Sequence, residues 1–191
     1  MIKTYFKDPV ILINLFLMTL IWLSTSINTY ILAQASRSTN PTTIGYETFC
    51  EIFAILASGF MFHYLGLRSS MAITFAASFL ACCVLITHTE SSDAIKIYTI
   101  PALNLITSAT VTTSYLAQTK LFPVGCAAAS LSLSTLLARV FEGSVPFIEQ
   151  DQETIPIIVF AVIALGGLLA TLGLQPGPTI AKQKEHSDIS L

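Results

Sequence analysis

Apolar residues run along the chain in six long stretches, separated by short segments rich in turn-forming and charged residues. The stretches span 9–33, 44–66, 69–88, 97–118, 124–148 and 154–174. Each has the roughly 20 mostly apolar residues that a helix needs to cross a bilayer. Strands of an outer-membrane barrel would alternate apolar and polar positions, whereas 157–170 is continuously apolar or glycine. The pattern predicts an all-α membrane protein with six transmembrane helices.

These boundaries divide the chain into three regions. Residues 1–8 form an N-terminal segment, 9–174 a six-helix transmembrane domain, and 175–191 a polar tail. The first stretch could instead be a secretory signal, because Lys3 and Lys7 precede it and Ala33-Gln34-Ala35 weakly resembles a cleavage site. A signal has an apolar region of only about 7–15 residues, so we interpret this longer stretch as a retained span.

The composition agrees with a membrane protein. Of the 191 residues, 53% are hydrophobic and 10% are charged, against about 25% charged in a typical soluble domain. Polar side chains this scarce could not cover a soluble globule, and disorder needs low hydrophobicity with high charge. The net charge is −2 and no dense basic run occurs, so the sequence does not indicate nucleic-acid binding.

The basic residues predict the orientation in the membrane. The N-terminus, the second and fourth loops and the tail together hold Lys3, Lys7, Arg68, Lys120, Lys182 and Lys184; the other side holds only Arg37 and Lys96. Cytoplasmic loops carry the excess of lysine and arginine. We therefore expect both termini to be cytoplasmic, and the plasma membrane is the expected location.

No pattern in the sequence indicates catalysis. There is no HExxH, GxSxG or phosphate-loop motif, and the four cysteines lie in apolar stretches without a CxxC pair. Such cysteines behave as small buried hydrophobes. We expect neither an enzyme, nor a bound metal, nor a cofactor.

Polar side chains divide the six predicted helices into two groups. The third and sixth contain no charged or amide side chain in their interiors, whereas the other four contain Asn28, Glu51, Asn104, Arg139 and Glu142. Charged groups inside a membrane usually face a bundle interior or a water-filled cavity. These five residues, with Trp22, are the predicted substrate path. The alternative is structural: Arg139 and Glu142 are spaced to pair on one helical face, and Glu51 could be protonated by burial.

Three motifs resemble the C-terminal half of organic cation and anion transporters of the major facilitator superfamily. The stretch from Glu51-Ile52-Phe53-Ala54 to Gly66-Leu67-Arg68 resembles the E-I-P-A-Y element and the following R-R-x-G-R-R loop. Leu121-Phe122-Pro123 resembles the E-L-Y-P motif. Arg139-Val140 through Val145-Pro146-Phe147 resembles the R-V-G-S-I-I-A-P-Y element. The resemblance covers nearly the whole chain.

The resemblance implies that the six spans correspond to helices seven to twelve of a twelve-helix carrier. In that family helices seven, eight, ten and eleven line the cavity, and nine and twelve lie outside. It also implies a gating loop at Gly66, Arg68 and Lys120. This latch departs from the family, because most of its charges are missing and Lys120 replaces a glutamate.

The family resemblance further implies a substrate class. A basic residue at the position of Arg139 is similar to the anion carriers, and the nearby Glu142 partly opposes that charge. We therefore expect transport of small organic ions, with anions favoured, by alternating access. Such carriers work with two six-helix halves, so the chain would be a truncated carrier or would pair with a complementary half. The alternative is a non-transporting membrane protein that acts through helix–helix contacts.

Overall fold

The computed structural model describes residues 9–37, 43–87, 93–143 and 154–175. Within these ranges the chain is helical and contains no strand. The five helices are α1 (Pro9–Arg37), α2 (Thr43–Thr87), α3 (Asp93–Leu121), α4 (Val124–Glu142) and α5 (Thr154–Gly173). The all-α class is therefore confirmed. The predicted segments 1–8 and 176–191 and most of the predicted loops lie outside the described residues.

One predicted loop is instead a kink inside a helix. The second and third apolar stretches form the single helix α2, in which only Gly66 leaves the helical region, with φ 77° and ψ 176°. This conformation is essentially restricted to glycine. Because Gly66 changes the chain direction at one residue, the expected loop at 66–70 is not needed. We call residues 43–65 the first arm of α2 and residues 67–87 its second arm.

A short turn joins α3 to α4. The buried Phe122 follows the last residue of α3, and Pro123 precedes the first residue of α4. The Pro123 carbonyl accepts hydrogen bonds from the backbone N–H groups of Cys126 and Ala127, at 2.8 and 2.9 Å. Proline suits this position because it has no N–H to leave unpaired. The helix ends at Glu142, and the remainder of the predicted span, residues 144–148, lies outside the described ranges.

Two apolar clusters hold the helices together. The first cluster contains Ile11, Leu15, Met18, Ile21, Trp22, Met71, Phe75, Ala117, Leu121, Phe122, Ala138, Ala170 and Leu174. The second cluster contains Ile31, Leu32, Cys82, Leu103, Phe160, Ala161 and Ala164. The start of α1 thus lies level with the ends of α3 and α5, so α1 runs antiparallel to both. The second arm of α2 runs parallel to α1. The second arm and α5, whose interiors lack charged groups, contribute to both clusters.

Asn14 connects the beginning of the described chain to its end. Its side-chain Nδ2 donates to the Gln175 carbonyl at 3.0 Å, and its Oδ1 accepts from the Gln175 backbone N–H at 2.9 Å. Asn14 is itself buried. The paired bonds satisfy backbone groups that the end of a helix leaves without intrahelical partners. They also place the first and last described residues at the same end of the bundle.

Two helical stretches are long and apolar enough to cross a membrane: Pro9–Ala33 and Glu51–Val84. Ile158–Gly173 is apolar but shorter. On average α3 and α4 are less apolar than α1 and α2, because hydroxyl side chains interrupt their apolar runs. Six of the eight residues in 107–114 are threonine or serine. The structure therefore supports membrane association through two helices, and six crossings stay a prediction.

Candidate functional site

Trp22 and Asn28 lie in the interior of the bundle, on α1. Both are buried, and the Trp22 ring meets the Tyr115 ring of α3 edge-on, with centroids 4.7 Å apart. Tyr115 is about half exposed and covers Trp22 from outside. Within the described part of the chain, Trp22 Nε1 and Asn28 Oδ1 have no hydrogen-bond partner. Both residues belong to the predicted path, and no hydrogen bond or ring contact among the described residues joins either of them to the predicted charges.

Arg139 and Glu142 form an ion pair in the last turn of α4. Arg139 Nη1 donates to both carboxylate oxygens, at 2.7 and 3.0 Å. The arginine side chain is 73% exposed and the glutamate side chain only 17%. The pair is local, since three residues separate its members, and this is the structural alternative that the spacing allowed. A cation near a helix C-terminus is also favoured by the helix dipole.

Glu51 lies on an exposed face of the first arm of α2. The side chains around it on this arm are exposed and apolar: Phe49, Ile52, Phe53, Ile55 and Leu56. The long helix packs mainly on α3 and α5, whereas α4 packs mainly on α1. The main helix contacts therefore do not bring Glu51 to Arg139. Asn104 is half-buried on α3.

The three predicted gating residues lie at one end of the bundle. Gly66 and Arg68 are exposed at the kink of α2, and Lys120 is exposed in the last turn of α3. Leu67 packs against the first cluster, which also contains Leu121. The kink and the end of α3 therefore lie at the same end of the bundle.

A layer of buried polar residues, not predicted from the sequence, lies between the two apolar clusters. On each helix these residues lie between members of the first and second clusters. We call them the polar layer: Ser24, Thr25, Asn28, Ser78, Thr107, Thr110, Thr113 and Ser114. The hydroxyl-rich run 107–114 was the available signal. It was overlooked because hydroxyls in apolar helices are usually satisfied by their own backbone.

An apolar groove lies between α1 and α4, with a volume of about 590 Å³. Its lining is Leu12, Ile13, Leu15, Phe16, Leu17, Thr19, Leu133 and Leu137. The Thr19 hydroxyl lies 3.2 Å from that of Ser134 and also donates to the Leu15 carbonyl. None of the predicted path residues lines this groove, and its chemistry suits hydrocarbon rather than an ion.

No group of three metal-ligating side chains comes together among residues 9–37, 43–87, 93–143 and 154–175. The polar groups that the structure does place inside the bundle are neutral amides, hydroxyls and one indole. These neutral groups can donate and accept hydrogen bonds.

Comparison with known proteins adds no relative. No family model matches the chain, and no curated protein matches it either. The similarity of its motifs to those of organic ion transporters therefore stays a prediction.

Proposed function

We propose that the chain is one six-helix half of a carrier that moves small organic ions, anions favoured, across a membrane by alternating access. In this proposal the six helical segments correspond to helices seven to twelve of the major facilitator fold. Both termini lie in the cytoplasm, and the plasma membrane is the proposed location. The support is the motif similarity together with the placement of charge described below.

The observation that carries the proposal is charge on otherwise apolar exposed helix faces. Arg139 is exposed beside Leu136, Val140 and Phe141, and Glu51 is exposed among apolar neighbours. An ionisable side chain at the centre of a bilayer costs about 2.5–3.5 kcal/mol on insertion scales. Exposed leucine or phenylalanine could face lipid at no such cost. The charged positions are therefore the ones that need water or protein beside them.

A second six-helix half would place both protein and water beside the charged side chains. It would cover the first arm of α2 and α4 and enclose water between the halves, as two-half carriers do. Arg139 would then attract the anionic group of the substrate. Glu142 would hold Arg139 in position until the substrate competes for it, and Glu51, Asn104, Asn28 and Trp22 would complete the path.

Exchanging the two charges of α4 separates a substrate role from a structural role. The double variant Arg139→Glu/Glu142→Arg retains an i,i+3 ion pair but places a negative charge at position 139. If Arg139 binds the substrate, uptake of organic anions by the full chain in cells should fall at least tenfold while the amount of folded protein stays unchanged. Unchanged anion uptake would reject the assignment of Arg139.

Covalent capture tests the second half. A photo-reactive phenylalanine analogue at the exposed Phe53 or Phe141 should crosslink to another multi-helix membrane protein. The same analogue at the buried Phe75 is the control and should give no intermolecular product. Adducts with lipid alone at both exposed positions would contradict a two-half carrier.

The second candidate is a non-transporting membrane protein that acts through helix contacts. The ion pair between Arg139 and Glu142 favours it, because a pair satisfied within one helix leaves no charge for a substrate. This candidate predicts that the charge exchange has no effect on any transport and that the captured partner is not a six-helix half.

A further inference from the structure

Two buried oxygen atoms of the polar layer have no hydrogen-bond partner in the described part of the chain: Asn28 Oδ1 and Thr107 Oγ1. Both residues are less than 5% exposed. Thr107 is unusual on its own helix. The hydroxyls of Thr110, Thr113 and Ser114 each donate to a carbonyl of the preceding turn, at 2.8–3.0 Å. The Thr107 hydroxyl makes no such bond.

The packing of α1 against α3 places the two residues at the same level. The helices are antiparallel, and the contact between Trp22 and Tyr115 fixes their register on one side. Counted from that contact, Asn28 is level with residue 109 of α3. Counted from Ile31 and Leu103, which share the second cluster, it is level with residue 106. Thr107 lies between these limits, within about 3 Å along the axis at a rise of 1.5 Å per residue.

The two residues also lie on buried helix faces, one on α1 and the other on α3. Asn28 belongs to the buried stripe that includes Thr25 and Ile31 on α1. Thr107 belongs to the buried stripe that includes Leu103 and Thr110 on α3. Residues three and four apart share a helical face, and both stripes reach the second cluster. An amide oxygen and a hydroxyl, neither with a partner, therefore lie at the same level inside the bundle, one on α1 and the other on α3.

We propose that Asn28 and Thr107 bind a water molecule that bridges α1 and α3 at mid-height of the bundle. Water can donate one hydrogen bond to the amide oxygen and exchange another with the hydroxyl. Buried waters typically make about three such bonds to protein groups that would otherwise lack partners. A cation is disfavoured, because the polar layer contains no carboxylate and an uncompensated buried charge is costly. The inference holds whether or not the chain carries organic ions.

Water-edited solid-state NMR of the full chain in lipid bilayers tests the site directly. Magnetisation should pass from water to the Asn28 side-chain amide and to Thr107, and the Thr107→Val variant should weaken the transfer to Asn28. The matched control is Thr110→Val, which removes a buried hydroxyl one turn away that is bonded to its own helix. That control should leave the Asn28 signal unchanged. Absence of water transfer to Asn28 would overturn the proposal.

A double-mutant cycle tests whether the two residues share the water. Asn28→Leu and Thr107→Val should each lower the melting temperature by several degrees, since each leaves a buried polar group without a partner. The melting temperature of the double variant should fall by clearly less than the sum of the two single decreases, because the double variant removes both polar groups together. Asn28→Leu with Thr110→Val should be additive.

The results of the two experiments together distinguish a bound water from a direct hydrogen bond between Asn28 and Thr107 and from a bound cation. Coupling together with water transfer supports the bridge. Coupling without water transfer would mean a direct bond between Thr107 and Asn28 and would overturn the proposal, as would additive effects in the cycle. A melting temperature that falls when sodium is replaced by choline would assign the site to a cation instead.

Discussion

At the scale of single residues, one glycine allows two helices to pack closely. A Cβ added to Gly167 of α5 would lie 2.4–2.8 Å from three ring atoms of Phe75, on the second arm of α2. Phe75 is buried, so its ring has little room to move. Adjacent Gly166 has nothing within 4 Å of the same added atom. The two neighbouring glycines therefore have different roles.

We expect Gly167→Ala to destabilise the protein by about 1–3 kcal/mol, the usual cost of overpacking a filled core. Gly166→Ala should be neutral or slightly stabilising, because alanine is the better helix former. Thermal unfolding of both variants in detergent measures the difference. In a Phe75→Leu background the cost of Gly167→Ala should shrink; an undiminished cost would place the clash elsewhere.

The Asn14 side chain gives a second residue-scale prediction. Asn14→Leu removes both hydrogen bonds to Gln175 and should cost about 1–3 kcal/mol, because each hydrogen bond contributes about 0.5–1.5 kcal/mol. Gln175→Ala is the matched control. The bonds use only the Gln175 backbone, so this variant should retain the stability of the unaltered protein. Equal losses in the two variants would contradict the backbone pairing.

Residue-scale contacts could be predicted only where they are local. The spacing of Arg139 and Glu142 predicted their ion pair, since helical geometry fixes which neighbours meet. The bonds between Asn14 and Gln175 join residues 161 positions apart. Nothing in the sequence near either residue indicates the other, because their meeting depends on how whole helices pack.

At the scale of elements, the main feature is the kink that divides α2. Gly66 has φ 77° whereas Gly59, seven residues earlier in the same helix, is helical, and neither has atoms within 4 Å of an added Cβ. Backbone conformation alone therefore distinguishes the two positions.

Gly66→Ala should destabilise the protein by about 1–3 kcal/mol, the range for a non-glycine residue held in a region open only to glycine. Gly59→Ala should be neutral or stabilising by up to about 1 kcal/mol, because glycine weakens a helix interior. Chemical unfolding followed by circular dichroism compares them. If Gly66→Ala were as stable as Gly59→Ala, the two arms would not be joined by this conformation.

The apolar stretches predicted the helices well. They also predicted the position of the break in α2, but not that the break is a kink at one residue instead of a loop. The helices begin close to the predicted positions because runs of apolar residues dominate their formation. Gly66 was correctly identified as a break. Whether a glycine opens into a loop or turns the chain at one residue depends on the packing of Leu67 and Met71 against the first cluster, which the local sequence does not encode.

At the scale of the whole molecule, the bundle brings both ends of the described chain to one side. Ile11 and Leu174 belong to the same cluster, as an even number of crossings would require. The sequence shows no charged group in the interiors of the second arm of α2 and of α5. It could not reveal the polar layer, which becomes visible only when the levels of separate helices are compared.

Engineered glycosylation tests this arrangement in a membrane. Acceptor sequences in extended loops inserted near positions 39, 91 and 151 should be modified in microsomes. Acceptors added before residue 3, near residue 68 or after residue 185 should not, because the excess of lysine and arginine keeps those segments cytoplasmic. Gel mobility with and without glycosidase provides the measurement. Modification of one terminus but not the other would require an odd number of crossings.

The hydrogen bonds between Asn14 and the Gln175 backbone also impose an order on biogenesis. The ribosome synthesises the first helix long before the last one, and Asn14 cannot obtain its partner until the polypeptide extends past residue 175. During that interval the Asn14 amide needs another hydrogen-bond partner, such as a group of the insertion machinery, a chaperone or interfacial water. A nascent chain halted before residue 175 should therefore stay associated with the translocon and be cleared by quality control, whereas completion of those few residues would release it.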